Sequence, residues 1–428
     1  MLLKSSWRNL YVLLAIVALG LLAGGCNKDD NPAAGGGGTS ITINGFAKDW
    51  IGGPVAGQVV LVKGKAAVVT GPDGAFSVPG VTAPYQISLI MSTQRLVITY
   101  DGLTRADPTL CYLIGSLGVS KSATITGTVP AAAGKVTRVQ FVSGMMEWGT
   151  YADPGTGSYT IVASWTDSAT TCTGTMYVLR WTQGTNWLPT GYDAFVERNH
   201  VISAGGSSTV NFITTDFADP AEQTIAGSVV CPTGYTLTDK ALFLSFGNAM
   251  LPLGSEIPPG STNNFSYIVP TIAGATNGVV ATADASPPWR WVRFYKTGIP
   301  GGASGVNMAL EAAPQPILPV DNGINVDTST QFLWTPGGGT GISEVWLVGG
   351  TNDPTYCILT AANTISIPNF SPQGQGLPAN TRYTWNVHRY YPSSMDGIAS
   401  GSFPAFTQGH RGDVGFGQSG TFTFTTKP

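Results

Sequence analysis

Residues 59–78 read VVLVKGKAAVVTGPDGAFSV, and this stretch decides the fold class. Short runs of Val and Leu are divided by Lys and Gly, and the turn Gly71-Pro72-Asp73-Gly74 separates residues 68–70 from residues 75–78. Because Gly after Asp adopts the positive φ of a tight turn, this arrangement predicts a β-hairpin. Short β-branched runs bounded by turn signals are typical of strands, so the stretch predicts an all-β domain.

The composition of the whole chain is also typical of strands and turns: its 428 residues include 56 Gly and 29 Pro, but only 11% are charged. Frequent turns and few charges favour an all-β chain outside the cytoplasm. The net charge is −3 and no block of Lys or Arg occurs, so nucleic acid is not an expected partner. Beyond the N-terminal leader no run of 18 apolar residues occurs, so we expect no membrane-spanning helix there.

The residues before residue 59 add an opening strand and a bend. The opening reads Asn44-Gly45-Phe46-Ala47-Lys48-Asp49, and the bend reads Gly52-Gly53-Pro54-Val55-Ala56-Gly57. Together with Asp73-Gly74-Ala75-Phe76, this order resembles the carboxypeptidase regulatory-like domain, a transthyretin-like sandwich of seven strands. The resemblance implies an accessory fold for residues 41–118, with Asp49 and Asp73 as turn residues rather than calcium ligands.

The opening strand recurs twice along the chain. Ile43-Asn44-Gly45 corresponds to Ile125-Thr126-Gly127 and to Ile225-Ala226-Gly227. Similar Gly-rich endings close the second and third copies at residues 205–212 and 301–308. Internal repeats indicate related structural units, so we predict three related β-sandwiches at residues 41–118, 119–216 and 217–313.

Residues 314–428 follow a different pattern, which begins with a Pro-rich linker at residues 314–319. The segments FLWTP at 332–336 and LPANTRYTWNV at 377–387 resemble core strands of a fibronectin type III domain. That resemblance implies that Trp334 and Trp385 pack between two sheets. The long Gly-rich stretch 389–419 predicts an insertion. The expected fold is thus all-β, with tandem immunoglobulin-like or transthyretin-like sandwiches behind a lipoprotein signal peptide.

The first residues predict export and a lipid anchor. Lys4 and Arg8 flank the start of an apolar run, and Leu22-Ala23-Gly24-Gly25-Cys26 closes it, which resembles the lipobox of bacterial lipoproteins. The resemblance implies removal of residues 1–25, lipidation of Cys26 and a flexible Gly-rich tether over residues 26–40. Asn27, in place of Asp, favours the outer membrane in that family. Either the periplasmic face or the cell surface is compatible with this anchor.

The four other cysteines fall one in each predicted domain, at Cys111, Cys172, Cys231 and Cys357. Disulfides between domains are one interpretation. We favour the other, in which all four are buried thiols that act as small hydrophobic residues. Their spacing does not match a zinc site.

Catalytic motifs are absent from the sequence. His200, His388 and His410 are dispersed, and neither a Gly-x-Ser-x-Gly elbow nor a phosphate-binding loop occurs. We predict no catalytic residue, no metal site and no cofactor, and therefore no enzyme. A hydrolase with an unrecognised pair of carboxylates is the least favoured alternative.

Aromatic side chains in Gly- and Pro-rich surroundings are the strongest lead to a binding site. The candidates are Trp148, Tyr151, Trp187, Tyr192, Trp289 and Trp291. Exposed aromatic rings offer flat faces to sugars or to apolar patches on a partner protein. The alternative is that long loops fold back and bury these rings in small cores.

These features favour a non-enzymatic, envelope-anchored lipoprotein for binding or adhesion. Its ligand, a glycan or an envelope protein, would contact the loops of tandem sandwiches. The alternative is a structural accessory subunit of an outer-membrane or periplasmic complex. The membrane itself would be a partner through the N-terminal lipid, and the oligomeric state is left open.

Overall fold

The computed structural model describes residues 40–49, 52–111, 120–144, 146–166, 169–184, 186–247, 249–256, 263–286, 289–401 and 412–428. Ser40–Pro428 forms one compact unit built almost entirely of strands. Cys26, the predicted signal peptide and residues 26–39 of the predicted tether lie outside the described residues. Within the described part of the chain, no helix has the length and apolar character needed to cross a membrane.

Four groups of strands follow one another along the chain. The first group is β1 Ser40–Lys48, β2 Val59–Val62, β3 Val68–Val69, β4 Ala75–Thr82, β5 Tyr85–Met91, β6 Leu96–Leu103 and β7 Thr109–Cys111. The second is β8 Lys121–Thr128, β9 Lys135–Ser143, β10 Met146–Tyr151, β11 Ser158–Trp165, β12 Thr171–Gln183, β13 Pro189–Ser203 and β14 Ser207–Thr209. The third is β15 Ala221–Val230, β16 Thr236–Phe246, β17 Ala249–Glu256, β18 Asn264–Thr271, β19 Ala275–Ala285, β20 Arg290–Ile299 and β21 Val306–Ala309.

The fourth group contains the short helix α1 Met395–Ile398. Its strands are β22 Gln315–Leu318, β23 Gly323–Val326, β24 Phe332–Thr335, β25 Ile342–Val348, β26 Thr355–Thr360, β27 Thr364–Ile365, β28 Arg382–Tyr391, β29 Val414–Gln418 and β30 Phe422–Thr426. Short 3-10 turns lie at Thr214–Asp216 and Ser371–Gln373.

The first three groups share one topology. In each, a three-stranded sheet has the first strand at its centre: β4-β1-β7, β11-β8-β14 and β18-β15-β21. The last strand of each set pairs with the central strand in parallel, and the other pairs antiparallel. The remaining strands order as β3-β2-β5-β6, β10-β9-β12-β13 and β17-β16-β19-β20. The predicted all-β fold of tandem sandwiches is confirmed, and the sequence repeat corresponds to a repeated strand order.

One glycine recurs at the same place in the three copies because two groups approach it closely. Across the ladder it faces an aromatic side chain in each copy, as the pairs Gly45–Phe76, Gly127–Tyr159 and Gly227–Phe265. A Cβ on the glycine would lie 2.6 Å from Pro108 O, 1.8 Å from Val210 O and 2.0 Å from Val306 O respectively. Only glycine therefore allows the parallel strand to pack beside the aromatic ring.

The turn at residues 71–74 forms, but the predicted hairpin around it is wrong. Gly74 has φ +77°, and Gly71 N donates to Ala75 O at 2.8 Å. The flanking strands do not pair with each other, since β3 pairs with β2 and β4 pairs with β1. The turn thus carries the chain from one sheet of the sandwich to the other. Asp73 is the turn residue that the sequence predicts, because its Oδ1 accepts Ala75 N.

The fourth group also forms two sheets that enclose a core. The sheet β22-β24-β27 lies against strands β30, β28, β25 and β26, and Trp334 and Trp385 are buried between them as predicted. The Pro-rich segment that the sequence predicts as a linker instead contributes β22, which pairs with β24.

Strand pairing also joins the fourth sandwich to its neighbours. β26 pairs in parallel with β6 of the first sandwich, and β29 pairs with both β28 and β20 of the third sandwich. These pairings create one fourteen-stranded sheet. The fourth sandwich therefore lies between the first and the third, whereas the sequence suggested separate domains in chain order.

The described parts of the predicted insertion at residues 389–419 contribute to these junctions. On the first sandwich, Asp396 of α1 accepts Thr104 N at 2.9 Å and Arg105 N at 3.2 Å. On the third sandwich, Asp413 accepts Lys296 Nζ at 2.5 Å and Thr297 N at 2.9 Å. Both carboxylates thus hold sandwiches together.

Three of the cysteines occupy the positions that the sequence favours. Cys111 and Cys357 are buried in the core of the first sandwich and its junction with the fourth, and Cys172 is buried in the second. Cys231 differs because it is only half-buried beside the third core.

Candidate binding cleft

An open cleft of about 620 Å³ lies between the second and third sandwiches. Its walls come from β9, β10 and β12, from the turn between β12 and β13, and from β17. The lining residues are Lys135, Val136, Thr137, Tyr151, Ala152, Pro154, Trp181, Gln183, Trp187, Leu253, Gly254 and Ser255. The cleft is thus mostly apolar with a few polar groups, which is the usual character of a ligand site.

Tyr151 presents an aromatic ring at the end of β10. Its side chain is 54% exposed, while the neighbouring Trp181 on β12 is buried. The two rings meet edge to face, with centroids 6.4 Å apart and planes at 75°. The Arg138 guanidinium lies 4.9 Å from the Tyr151 ring centroid, a cation–π contact that fixes the ring orientation.

Trp187 occupies the turn between β12 and β13 in a strained conformation. It is 67% exposed, and its φ of +63° is in the left-handed region that bulky residues avoid. The bond from Gly184 N to Leu188 O at 2.8 Å closes the turn around it. Strain of this kind costs about 1–3 kcal/mol and concentrates at functional sites.

The third sandwich supports this turn through Gly254 on β17. A Cβ at this position would lie 2.1 Å from Trp187 O and 3.1 Å from the carbonyl carbon. The backbone of the turn can therefore rest on β17 only because residue 254 has no side chain. The position of Trp187 thus depends on both sandwiches.

Of the cleft-lining residues that the structure describes, Lys135 is the charged one and none is acidic. Its Nζ lies 2.6 Å from Thr182 Oγ1 and 3.3 Å from Asp193 Oδ2. Arg180 Nε contacts the other oxygen of Asp193 at 2.7 Å. One carboxylate is therefore shared by two cations, which leaves the wall of the cleft positive.

A second link between these sandwiches involves Glu147 on β10. Glu147 Oε2 accepts Gln140 Nε2 at 2.5 Å, and Glu147 Oε1 accepts Met250 N of β17 at 3.3 Å. Gln140 Nε2 also donates to Met250 O at 3.0 Å. Burial raises the pKa of Glu147 to about 7, although both hydrogen bonds oppose this rise. This carboxyl group therefore titrates near neutral pH.

Of the six predicted aromatic residues, the structure places Tyr151 and Trp187 in the cleft. Trp148 is half-buried, and its ring is stacked on Phe141 at 5.8 Å. Trp291 is also half-buried, and its Nε1 donates to Gln418 Oε1 at 3.0 Å. Trp289 is 57% exposed but does not line the cleft.

Tyr192 does not have the exposure that its Gly- and Pro-rich surroundings suggested. It is 5% exposed, and its hydroxyl donates to Ile268 O of the third sandwich at 3.2 Å. Burial, followed by the nearby Glu222 charge, raises the pKa of Tyr192. The ring is therefore part of the packing between sandwiches.

Trp181 and Lys135 line the cleft but were not among the predicted site residues. Trp181 is buried on β12. Lys135 stands at the start of β9 in no recognisable motif. Neither residue has a local signal, because the cleft arises from the contact of two sandwiches.

No protein-family model matches the chain, and no curated protein matches it in sequence. Among solved structures, it resembles the TIE protein of Bacillus anthracis at 10% identity and TM-score 0.15, covering 63% of this chain and 50% of that one. The FN1–FN3 domains of chicken CNTN1 match at 7% identity and TM-score 0.17, covering 68% of this chain and 89% of theirs. The pilus adhesin SpaC of Lactobacillus rhamnosus GG matches at 8% identity and TM-score 0.15, covering 64% and 43%.

This chain thus spans half the length of the Bacillus anthracis protein that it matches. At such TM-scores the matches carry no argument about function.

Proposed function

We propose that this chain is a non-enzymatic, envelope-anchored lipoprotein that binds a glycan in the cleft between its second and third sandwiches, and so serves adhesion or ligand capture. The observation that carries the proposal is the convergence of Tyr151 and Trp187, both largely exposed, on one apolar cleft. Flat aromatic faces pack against the CH groups of sugar rings, and nearby polar side chains can bond hydroxyl groups.

The position of Trp187 supports binding over a purely structural role. An exposed tryptophan contributes little to a core, and its left-handed φ is unfavourable. Contact with a ligand would bury the Trp187 ring, and this would explain why an exposed tryptophan is held in an unfavourable backbone conformation. The rigid sandwiches on either side hold the cleft open before a ligand arrives, which limits the entropy lost on binding.

The anchor is part of the same proposal. The lipobox at residues 22–26 supports lipidation of Cys26, and two or more acyl chains give a stable attachment. Treating intact cells with an external protease distinguishes the two membrane faces, because a surface protein is cleaved before the outer membrane is opened.

A comparison of two exposed tryptophans tests the binding function. The detergent-solubilised full chain is applied to a glycan array, together with Trp187→Ala and Trp289→Ala variants. Both rings are more than half exposed, so neither change should alter the urea midpoint much. We expect Trp187→Ala to lose at least tenfold in affinity and Trp289→Ala to retain it. Absence of glycan binding by the unmodified chain, or equal binding by both variants, contradicts the proposal.

A further inference from the structure

We propose that the ligand of this cleft is an acidic glycan, a saccharide that carries a carboxylate, sulfate or phosphate group. The sugar ring packs on Tyr151 and Trp187, and the acidic group lies at Lys135. This inference rests on the proposed function, because it names the ligand class of the same cleft.

The charge of the lining carries the argument. Among the described residues that line the cleft, Lys135 is the charged group and none is a carboxylate. The nearby Asp193 does not cancel it, since Arg180 contacts the same carboxylate at the shorter distance, 2.7 Å against 3.3 Å. A neutral sugar would leave this positive wall unused, whereas an acidic group would complete the pairing.

Lys135 is also held where it can act. Its hydrogen bond to Thr182 Oγ1 and its contact with Asp193 fix the ammonium group, yet 34% of the side chain is exposed. An ammonium group carries three donors, so the two contacts leave one N–H for a ligand. The conformational entropy of the Lys135 side chain is therefore lost mainly on folding, so little more is lost when a ligand binds.

The other lining residues can contact the hydroxyl groups and the apolar faces of a sugar ring. Thr137, Gln183 and Ser255 provide neutral donors and acceptors for hydroxyl groups. Leu253 and Val136 contribute apolar surface. We do not assign the acidic group of the ligand to Arg138, because its guanidinium lies against the Tyr151 ring.

The volume suits a short oligosaccharide. At about 620 Å³ the cleft is within the range of about 300–1,000 Å³ that is typical of ligand sites. Because the cleft is open, the remainder of a longer saccharide can extend into solvent.

The test compares one oligosaccharide in two charge states. The full chain in mild detergent is titrated with oligogalacturonate and with its fully methyl-esterified form, at low and at moderate salt. We expect the acidic form to bind about tenfold more tightly, and this advantage to shrink as salt increases. A sulfated and a phosphorylated oligosaccharide, run in parallel, identify which acidic group is preferred.

Variants at Lys135 separate charge from structure. Lys135→Gln should abolish the preference for the acidic form, while Lys135→Arg should retain it because the charge remains. Lys65→Gln, at an exposed lysine of the first sandwich, should bind like the unmodified chain.

The outcomes distinguish this inference from the proposed function. Equal affinity for the acidic and esterified forms overturns the inference but leaves glycan binding intact, provided that Trp187→Ala still weakens both. Failure of all acidic probes to bind also overturns it, and the glycan array then decides the proposed function separately.

Discussion

Glu147 should make the junction between the second and third sandwiches sensitive to pH. Burial raises its pKa from the ordinary 4.5 to about 7 in the folded protein. This rise corresponds to about 3 kcal/mol of folding free energy. Between these two values the unfolded chain has lost the proton and the folded chain has kept it. The contribution of Glu147 to the free energy of unfolding is therefore greatest below pH 4.5 and falls as the pH rises to about 7.

Urea denaturation followed by tryptophan fluorescence measures this effect, because Trp148 is adjacent to Glu147 in β10. From pH 4.5 to pH 8 we expect the unmodified chain to lose up to about 3 kcal/mol in this transition. The Glu147→Gln variant should lose less, since an amide does not ionise. Above pH 7 the variant should therefore gain stability relative to the unmodified chain.

A second glutamate provides the control. Glu197 on β13 is exposed, and Glu197→Gln should leave the pH profile unchanged. If Glu147→Gln shows the same pH profile as the unmodified chain, ionisation of the half-buried Glu147 carboxyl is not what sets the stability of this junction.

Three further changes test other features. Gly254→Val should clash with the Trp187 turn, lower the free energy of unfolding by about 1–3 kcal/mol and weaken glycan binding; an unchanged urea midpoint would contradict the close approach. Asp396→Ala should leave two amide groups of the first sandwich without an acceptor and cost about 1–3 kcal/mol by the same assay, whereas no loss would show that α1 does not stabilise that junction. Cys26→Ser should move the protein from the detergent phase to the aqueous phase on phase separation, and retention in detergent would argue against the lipid anchor.

Individual strands could be predicted because their signals are local. Polar and apolar residues alternate over residues 158–165 except at Val162, and in β11 the side chains alternate between exposed and buried along the whole strand. The strand containing Trp334 was predicted from its resemblance to a core strand of fibronectin type III domains. The partner strands of β3 and β4 could not be predicted. A tight turn has the same residues whether the two strands that it connects lie in one sheet or in two different sheets.

The site was less predictable because contacts between sandwiches create it. Tyr192 and Trp187 stand five positions apart in similar surroundings, yet one is buried against Ile268 and the other is exposed over Gly254. Both partners belong to the third sandwich. No local pattern specifies which ring contacts which surface. The sequence therefore identified the aromatic residues as candidates but could not predict which of them are buried and which are exposed.

Because the fourth sandwich pairs with the first, the first sandwich is completed only after the last part of the chain has been synthesised. Asp101 of β6 and Thr360 of β26 are hydrogen-bonded although they are 259 residues apart. The first sandwich is therefore synthesised long before the strand that covers its open edge exists. An uncovered edge strand is a template for association with other chains. A chain that terminates before β26 would keep that edge permanently, so premature truncation should yield aggregation-prone products even when the first three sandwiches are intact.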